Sequence, residues 1–118
     1  MTEVAWKLVD RAEWAAARAS GAYAGSAVDL ADGYIHLSGA EQLAETARRH
    51  YAGRTGLMLV AVDLRSLGDH LKWEASRGGA LFPHLYAPLP VAAATQERPL
   101  SVDDEGIMQF DDGAAGWP

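Results

Sequence analysis

The sequence contains no cysteine, which excludes disulfide staples, zinc–thiolate sites and thiol catalysis. No apolar run approaches the roughly 20 residues that a membrane-spanning helix needs. The opening stretch MTEVAWKLVDRAEW lacks the basic end, apolar stretch and small-residue cleavage site of a signal peptide, so a cytoplasmic location and no membrane partner are expected. Beyond Leu100 there is no Lys or Arg, whereas Asp103, Asp104, Glu105, Asp111 and Asp112 all lie there. Setting those five aside from the 16 acidic residues leaves 11 acids against 10 bases, so the net charge of −6 belongs almost wholly to the end of the chain. The remainder is near neutral and its basic residues are scattered, which argues against broad nucleic-acid binding. No GxGxxG, GxxxxGKS/T or GxSxG motif occurs, so dinucleotide-fold, P-loop and hydrolase-elbow readings fail. There is no HxH, no HExxH and no Asp-rich calcium loop, and no metal site is expected.

What is present fits one domain: 118 residues, of which 49% are hydrophobic, enough for one core. AWKLV (5–9) reads as a strand. Asp10 with Glu13 three residues later has the spacing of a capping box for the helix RAEWAAARAS, which stops at Gly21. A Gly-rich loop, GAYAGSAVDLADG, leads to the strand YIHL (34–37). Ser38 reads as the N-cap of the helix GAEQLAETARRHY. LMLVAVD (57–63) is a continuous apolar run and reads as a central strand buried on both faces. HLKWEA alternates, SRGGA is a loop, and LFPHLY and VAAATQE read as two further strands. Residues 101–118 read as an acidic, flexible tail appended to a globular domain of residues 1–100, although Ile107, Met108 and Phe110 could dock as an edge strand. Two main helices cannot cover both faces of a regular parallel sheet, so a mixed or antiparallel α+β arrangement is predicted.

Successive strand residues point to opposite faces. Tyr34, His36 and Ser38 therefore share one face, His70, Lys72 and Glu74 another, and His84 and Tyr86 a third; Lys7 alternates with Trp6 and Leu8. If these polar faces meet, they form a cleft with imidazole, carboxylate, cationic and phenolic groups. His36 sits just before a helix N-terminus, where a neutral imidazole could orient an anionic ligand; the alternative is a structural histidine bonded to a backbone carbonyl. Ser38 reads as a cap rather than a nucleophile. Gln42 is either solvated helix surface or a ligand contact, and His50, near a helix C-terminus, reads as structural. Glu74 is a general base, a ribose-hydroxyl acceptor or a strand acid paired with Lys72 or Arg77. Arg77, beside two glycines, suits a phosphate contact or a hairpin turn. Pro83 could preorganise the ring of His84. Trp73 and Trp6 read as core residues that could stack a planar ring.

The segments DLADGYIHLSGAEQLAETARRHYAG and LKWEASRGGALFPHLYAPLP, with the opening WKLVDRAEWAAARASG, resemble the bacterial family called domain of unknown function 952. The resemblance runs to about Leu100 and leaves out the tail. It implies an ADP-ribosyltransferase-like fold: a split, mostly antiparallel sheet with two main helices that grips NAD between half-sheets. YIHLS is similar to the strand-to-helix motif of the RNA 2′-phosphotransferases of that superfamily. The analogy puts His36 near the ligand and Glu74 or His84 at a third polar position. Lys7 then lies on the first strand, where other members carry His or Arg. The function expected on these grounds is binding of NAD or an ADP-ribose-type nucleotide in a His-lined cleft, with transfer or hydrolysis of ADP-ribose. His36, Glu74 and His84 are the catalytic candidates, and Lys7, Ser38, Gln42, Trp73, Arg77 and Tyr86 the binding candidates. The alternative is a non-catalytic small-ligand or nucleotide-sensing domain. The acceptor and the oligomeric state stay open.

Overall fold

The computed structural model describes residues 3–76 and 78–113. In order, its elements are β1 (Val4–Asp10), α1 (Arg11–Ser20), β2 (Ala22–Tyr23), α2 (Ala27–Asp32), β3 (Ile35–His36), α3 (Ala40–His50), β4 (Leu57–Asp63), β5 (Leu71–Ser76), β6 (Ala80–Leu85), β7 (Leu89–Pro90), β8 (Ala94–Val102) and β9 (Met108–Phe110). The protein is α+β, with antiparallel sheets and three α-helices among the described residues. One sheet has the order β1-β4-β8-β9, a second β3-β6-β5, and a small ladder joins β2 to β7.

Local chemistry sets the elements. The Asp10 carboxylate accepts the Glu13 N–H at 3.0 Å and starts α1, which ends where Gly21 turns to φ 99°. Strand β4 is apolar along its length because it lies between β1 and β8. Met58, Val60 and Val62 face a core built with Trp14, Tyr23, Ile35, Leu37, Leu85 and Leu89. Leu57, Leu59 and Ala61 face a second core against Leu43 and Ala47 of α3, closed by Leu100 and Val102. The two larger sheets join at a corner, where Trp6 and Ser38 exchange backbone bonds of 2.8 and 2.9 Å. One residue earlier, Leu37 donates to Pro83 of the second sheet at 3.1 Å.

Several expectations are corrected. The segment read as a Gly-rich loop holds β2 and a third helix, α2. There Ser26 and Asp29 make a reciprocal capping box, with Asp29 N–H to Ser26 Oγ at 3.1 Å and Ser26 N–H to Asp29 Oδ2 at 2.9 Å. Gly39, not Ser38, is the N-cap of α3, and its N–H donates to Gln42 Oε1 at 2.9 Å. Val91–Ala93 form a 3-10 turn, and only then does β8 begin. The chain past Leu100 is part of the first sheet, because β8 runs to Val102 and β9 pairs with it. The edge-strand alternative is therefore the one realised, and residues 114–118 lie outside the described set. No helix among the described residues is long and apolar enough to cross a membrane.

Candidate functional site

The second sheet brings the polar faces together. In the β3–β6 ladder His36 lies opposite His84, and in the β5–β6 ladder Lys72 lies opposite His84. Alternation then puts Tyr34, His36, His84, Tyr86, Lys72 and Glu74 on one face. The rings of His36 and His84 are 5.7 Å apart. Tyr34 bridges them, stacked on His84 at 4.1 Å and tilted against His36 at 4.6 Å. Tyr86 closes the group 5.2 Å from Tyr34.

Each imidazole is held by a carboxylate at Nδ1. His84 Nδ1 lies 2.8 Å from Glu74 Oε1, which also accepts the Tyr86 hydroxyl at 2.6 Å. These two bonds hold the Glu74 carboxyl below its ordinary value, and the same carboxylate pushes the Tyr86 phenol up to about 12. Burial, with Asp32 and Glu74 nearby, raises the Tyr34 phenol. His36 Nδ1 lies 2.6 Å from Asp29 Oδ1, and His36 Nε2 lies 2.9 Å from Asp32 Oδ2. Carboxylates only accept, so both ring nitrogens of His36 face acceptors. Asp29 is 2% exposed and Asp32 48%, so one carboxylate is fixed in the core and the other stands at the surface.

Asp29 is the hub beneath the site. Besides the imidazole, its carboxylate accepts the N–H groups of Ser26 and His36 at 2.9 and 3.1 Å and pairs with Lys7 Nζ at 3.1 Å. Burial pushes its pKa up, but the His36 bond, the Lys7 charge and the backbone donors outweigh that and hold it well below the carboxylate range. Lys7 Nζ also donates to the His36 carbonyl at 2.9 Å. Burial lowers the Lys7 ammonium despite Asp29. A cavity of about 240 Å³ opens beside the cluster, walled in part by Ala24, Leu30, Tyr34, Tyr86 and Ala87 and touching Asp29.

A model of the family described as "Protein of unknown function (DUF952)" matches residues 8–97. The chain belongs to that family. Solved structures of protein CC0527 from Caulobacter crescentus, an X-ray and a solution NMR structure among them, resemble this DUF952 chain. The X-ray structure is 55% identical, covers 90% of this chain and 93% of that one, and has a TM-score of 0.85. The solution NMR structure is 54% identical, covers 95% and 97%, and has a TM-score of 0.79. No curated protein matches the DUF952 chain. Asp29, His36, Glu74, His84 and Tyr86 all fall in the matched span, and Lys7 sits one residue before it.

Of the residues singled out by sequence, His36, Glu74, His84 and Tyr86 converge. The others described do not line the cluster's open side. Lys7 lies underneath it, consumed by Asp29 and the His36 carbonyl. Ser38 is buried, with its hydroxyl 3.0 Å from that of Thr46. Gln42 ties α3 to the β5–β6 hairpin by donating to the Leu81 carbonyl at 2.7 Å. Trp73, expected in the core or on a ring, is 40% exposed. It sits opposite Pro83 on the reverse face of the sheet from Glu74. Arg77 lies outside the described residues. Sequence reading missed Asp29 and Asp32 as partners of His36. The Ser26–Asp29 spacing was the available signal for the first, as a capping box just before a strand; nothing local marks the second. Among the described residues no group of three or more His, Asp or Glu side chains is arranged to hold a metal ion.

Proposed function

We propose that the cluster is an acid–base site for a small polar ligand. The observation that carries this is the pair of adjoining carboxylate–imidazole dyads, Asp29–His36 and Glu74–His84, with ring centres 5.7 Å apart. A carboxylate at Nδ1 leaves Nε2 as the proton-transferring atom. On His84, whose ring is 5% exposed, Nε2 is that atom; on His36 it is held by Asp32 at 2.9 Å, so His36 serves a ligand only once the surface carboxylate of Asp32 gives way. In the narrower form of the proposal the ligand is NAD or an ADP-ribose-type nucleotide on an ADP-ribosyltransferase-like architecture. Glu74 would orient a ribose hydroxyl, Tyr86 would offer a ring face, and His36 and His84 would move the proton as ADP-ribose is transferred or hydrolysed. Lys7 has no part in it, because its ammonium is spent on Asp29; Arg77 stays the phosphate candidate.

A second reading, a binding module without turnover, is favoured by one feature: both nitrogens of His36 already face carboxylates. Calorimetric titration with NAD and ADP-ribose, followed by chromatography of released nicotinamide over hours, separates the two. The acid–base reading expects binding, slow release, and loss of release in Glu74→Gln and His84→Gln with affinity largely kept. His36→Ala is expected to weaken binding by about 1–3 kcal/mol, the cost of a hydrogen bond lost in a desolvated site. Binding with no release supports the module, and no heat with either nucleotide removes the nucleotide reading.

A further inference from the structure

Among the described residues the second sheet ends on β5, which pairs with β6 alone. The ladder tells which backbone groups face the open edge. Opposite residues of an antiparallel pair either exchange both backbone bonds or turn both away, in alternation along the strands. Tyr86, which continues the register opposite His70, donates its N–H to the His70 carbonyl at 2.8 Å. The Pro83 carbonyl instead accepts from Leu37, on the β3 side, at 3.1 Å. Trp73 lies opposite Pro83, so its N–H and C=O point away from β6, and those of Leu71 and Ala75 follow by alternation. The Leu71 N–H is taken by the Gly68 carbonyl. No described residue bonds the backbone of Trp73 or Ala75 on that side. Open edges are normally blunted by proline, a bulge or short length. Strand β5 has six residues, no proline and an unbroken register with β6.

We propose that β5 is a dimerisation edge, at which two copies of the chain join β5 to β5 about a two-fold axis through Trp73. In that register Trp73 exchanges both backbone bonds with the partner subunit's Trp73, and each Ala75 N–H reaches a Leu71 carbonyl. Lys72 then lies opposite the partner subunit's Glu74, and Glu74 opposite the partner subunit's Lys72, so the edge is complementary in charge to itself. Lys72 is exposed and makes no ion pair with a described residue. Glu74 spends Oε1 on His84 and Tyr86, and no described residue bonds its Oε2. Centring the pair on Leu71 would set Lys72 against His70, and centring it on Ala75 would set Glu74 against Ser76; the Trp73 register alone matches the charges. On the reverse face Trp73, 40% exposed, and Leu81, 55% exposed, run on across the axis as one apolar strip with Ala75. The dimer is a continuous sheet with both dyad faces on the same side, and its existence does not depend on what the dyads bind.

Sedimentation of the intact protein at concentrations rising to about 1 mM tests this. The expected mass is twice the 12.6 kDa of one chain, with the amides of Trp73 and Ala75 gaining protection from hydrogen exchange as concentration rises. Lys72→Glu sets like charges against each other across the axis and is expected to weaken association by about tenfold or more. Glu74→Lys does the same with the opposite sign. Mixed in equal amounts, the two variants match charge again and are expected to pair with each other, a recovery that a misfolded variant does not show. Trp73→Pro removes an N–H that β6 does not use, a change that edge strands tolerate, and is expected to leave a monomer with the β5–β6 amides still protected. A 12.6 kDa species at every concentration, a dimer indifferent to Lys72→Glu or to Trp73→Pro, or folded charge variants that stay apart when mixed overturns the proposal. If Glu74→Lys does not fold, Lys72→Glu and Trp73→Pro decide it.

Discussion

At Asp29 a single buried carboxylate has two side-chain partners, Lys7 and His36, and two backbone donors. Removing its charge leaves the Lys7 ammonium in the core with only the His36 carbonyl. Breaking a buried ion pair from one side typically costs about 3–5 kcal/mol, and Asp29→Asn is expected to lose that much in urea unfolding. Lys7→Met combined with Asp29→Asn should lose less than the sum of the two single changes, because each alone strands the other's partner. The pH dependence follows from the same residue. Its folded pKa lies below the ordinary value of 3.8, so the folded state holds the proton less tightly than the unfolded chain. The stabilisation is fully present above about that ordinary value and is lost as pH falls from there toward the folded pKa. Acid titration of stability should show a steep limb below roughly pH 4 that flattens in Asp29→Asn; an unchanged limb would place the acid sensitivity elsewhere.

Helix α2 has six residues, yet it delivers both carboxylates that hold His36. Its capping box therefore acts on the site as well as on stability. Ser26→Ala is expected to cost about 0.5–2 kcal/mol, and Asp10→Ala at the start of α1 a similar amount. Only the first should move the ring signals of His36 in a proton spectrum, because only α2 touches that ring. Equal movement in both variants would show that the shift reports general loosening. The same helix marks how far the sequence could be read. Strands β1, β4, β5 and β6 and helix α1 are legible because each carries several periods of its own pattern. Helix α2 is shorter than two turns, and β2 and β3 have two-residue ladders, too short for periodicity to register. The cap of α3 slipped by one residue because Ser38 is the better capping residue by chemistry, but its backbone is engaged by Trp6 at the corner, leaving Gly39 to start the helix. Alternation correctly sorted Tyr34, His36, Glu74, His84 and Tyr86 onto polar faces. That these faces are one face depends on β3 and β5 both pairing with β6, a non-local choice that no window of sequence contains. The place of Lys7 beneath the cluster was hidden for the same reason: its partner Asp29 is 22 residues away.

Across the whole molecule, the two larger sheets share one core. Val60 and Val62 from the first sheet and Ile35 and Leu85 from the second lie in the same cluster, and the Trp6–Ser38 corner and the Lys7–Asp29 pair add polar ties between them. A site built on the second sheet is thus as rigid as the first sheet allows. If the sheets were independent, β5 and β6 would open without disturbing β4, and the dyads would be formed only part of the time. The shared core argues instead for one cooperative unit, in which buried amides of β4 and β6 exchange hydrogen through the same global opening. Strand β9, three residues long at the edge and only partly buried, belongs to the low-stability end and should exchange sooner. Leu85→Ala makes the distinction measurable. Truncating this 1% exposed side chain is expected to cost about 2–5 kcal/mol, and in a cooperative unit the protection of Val60 and Val62 falls by the same amount as that of His84. Loss confined to β5 and β6, with β4 unchanged, would mean that the sheets open separately and that the geometry of the dyads rests on the second sheet alone.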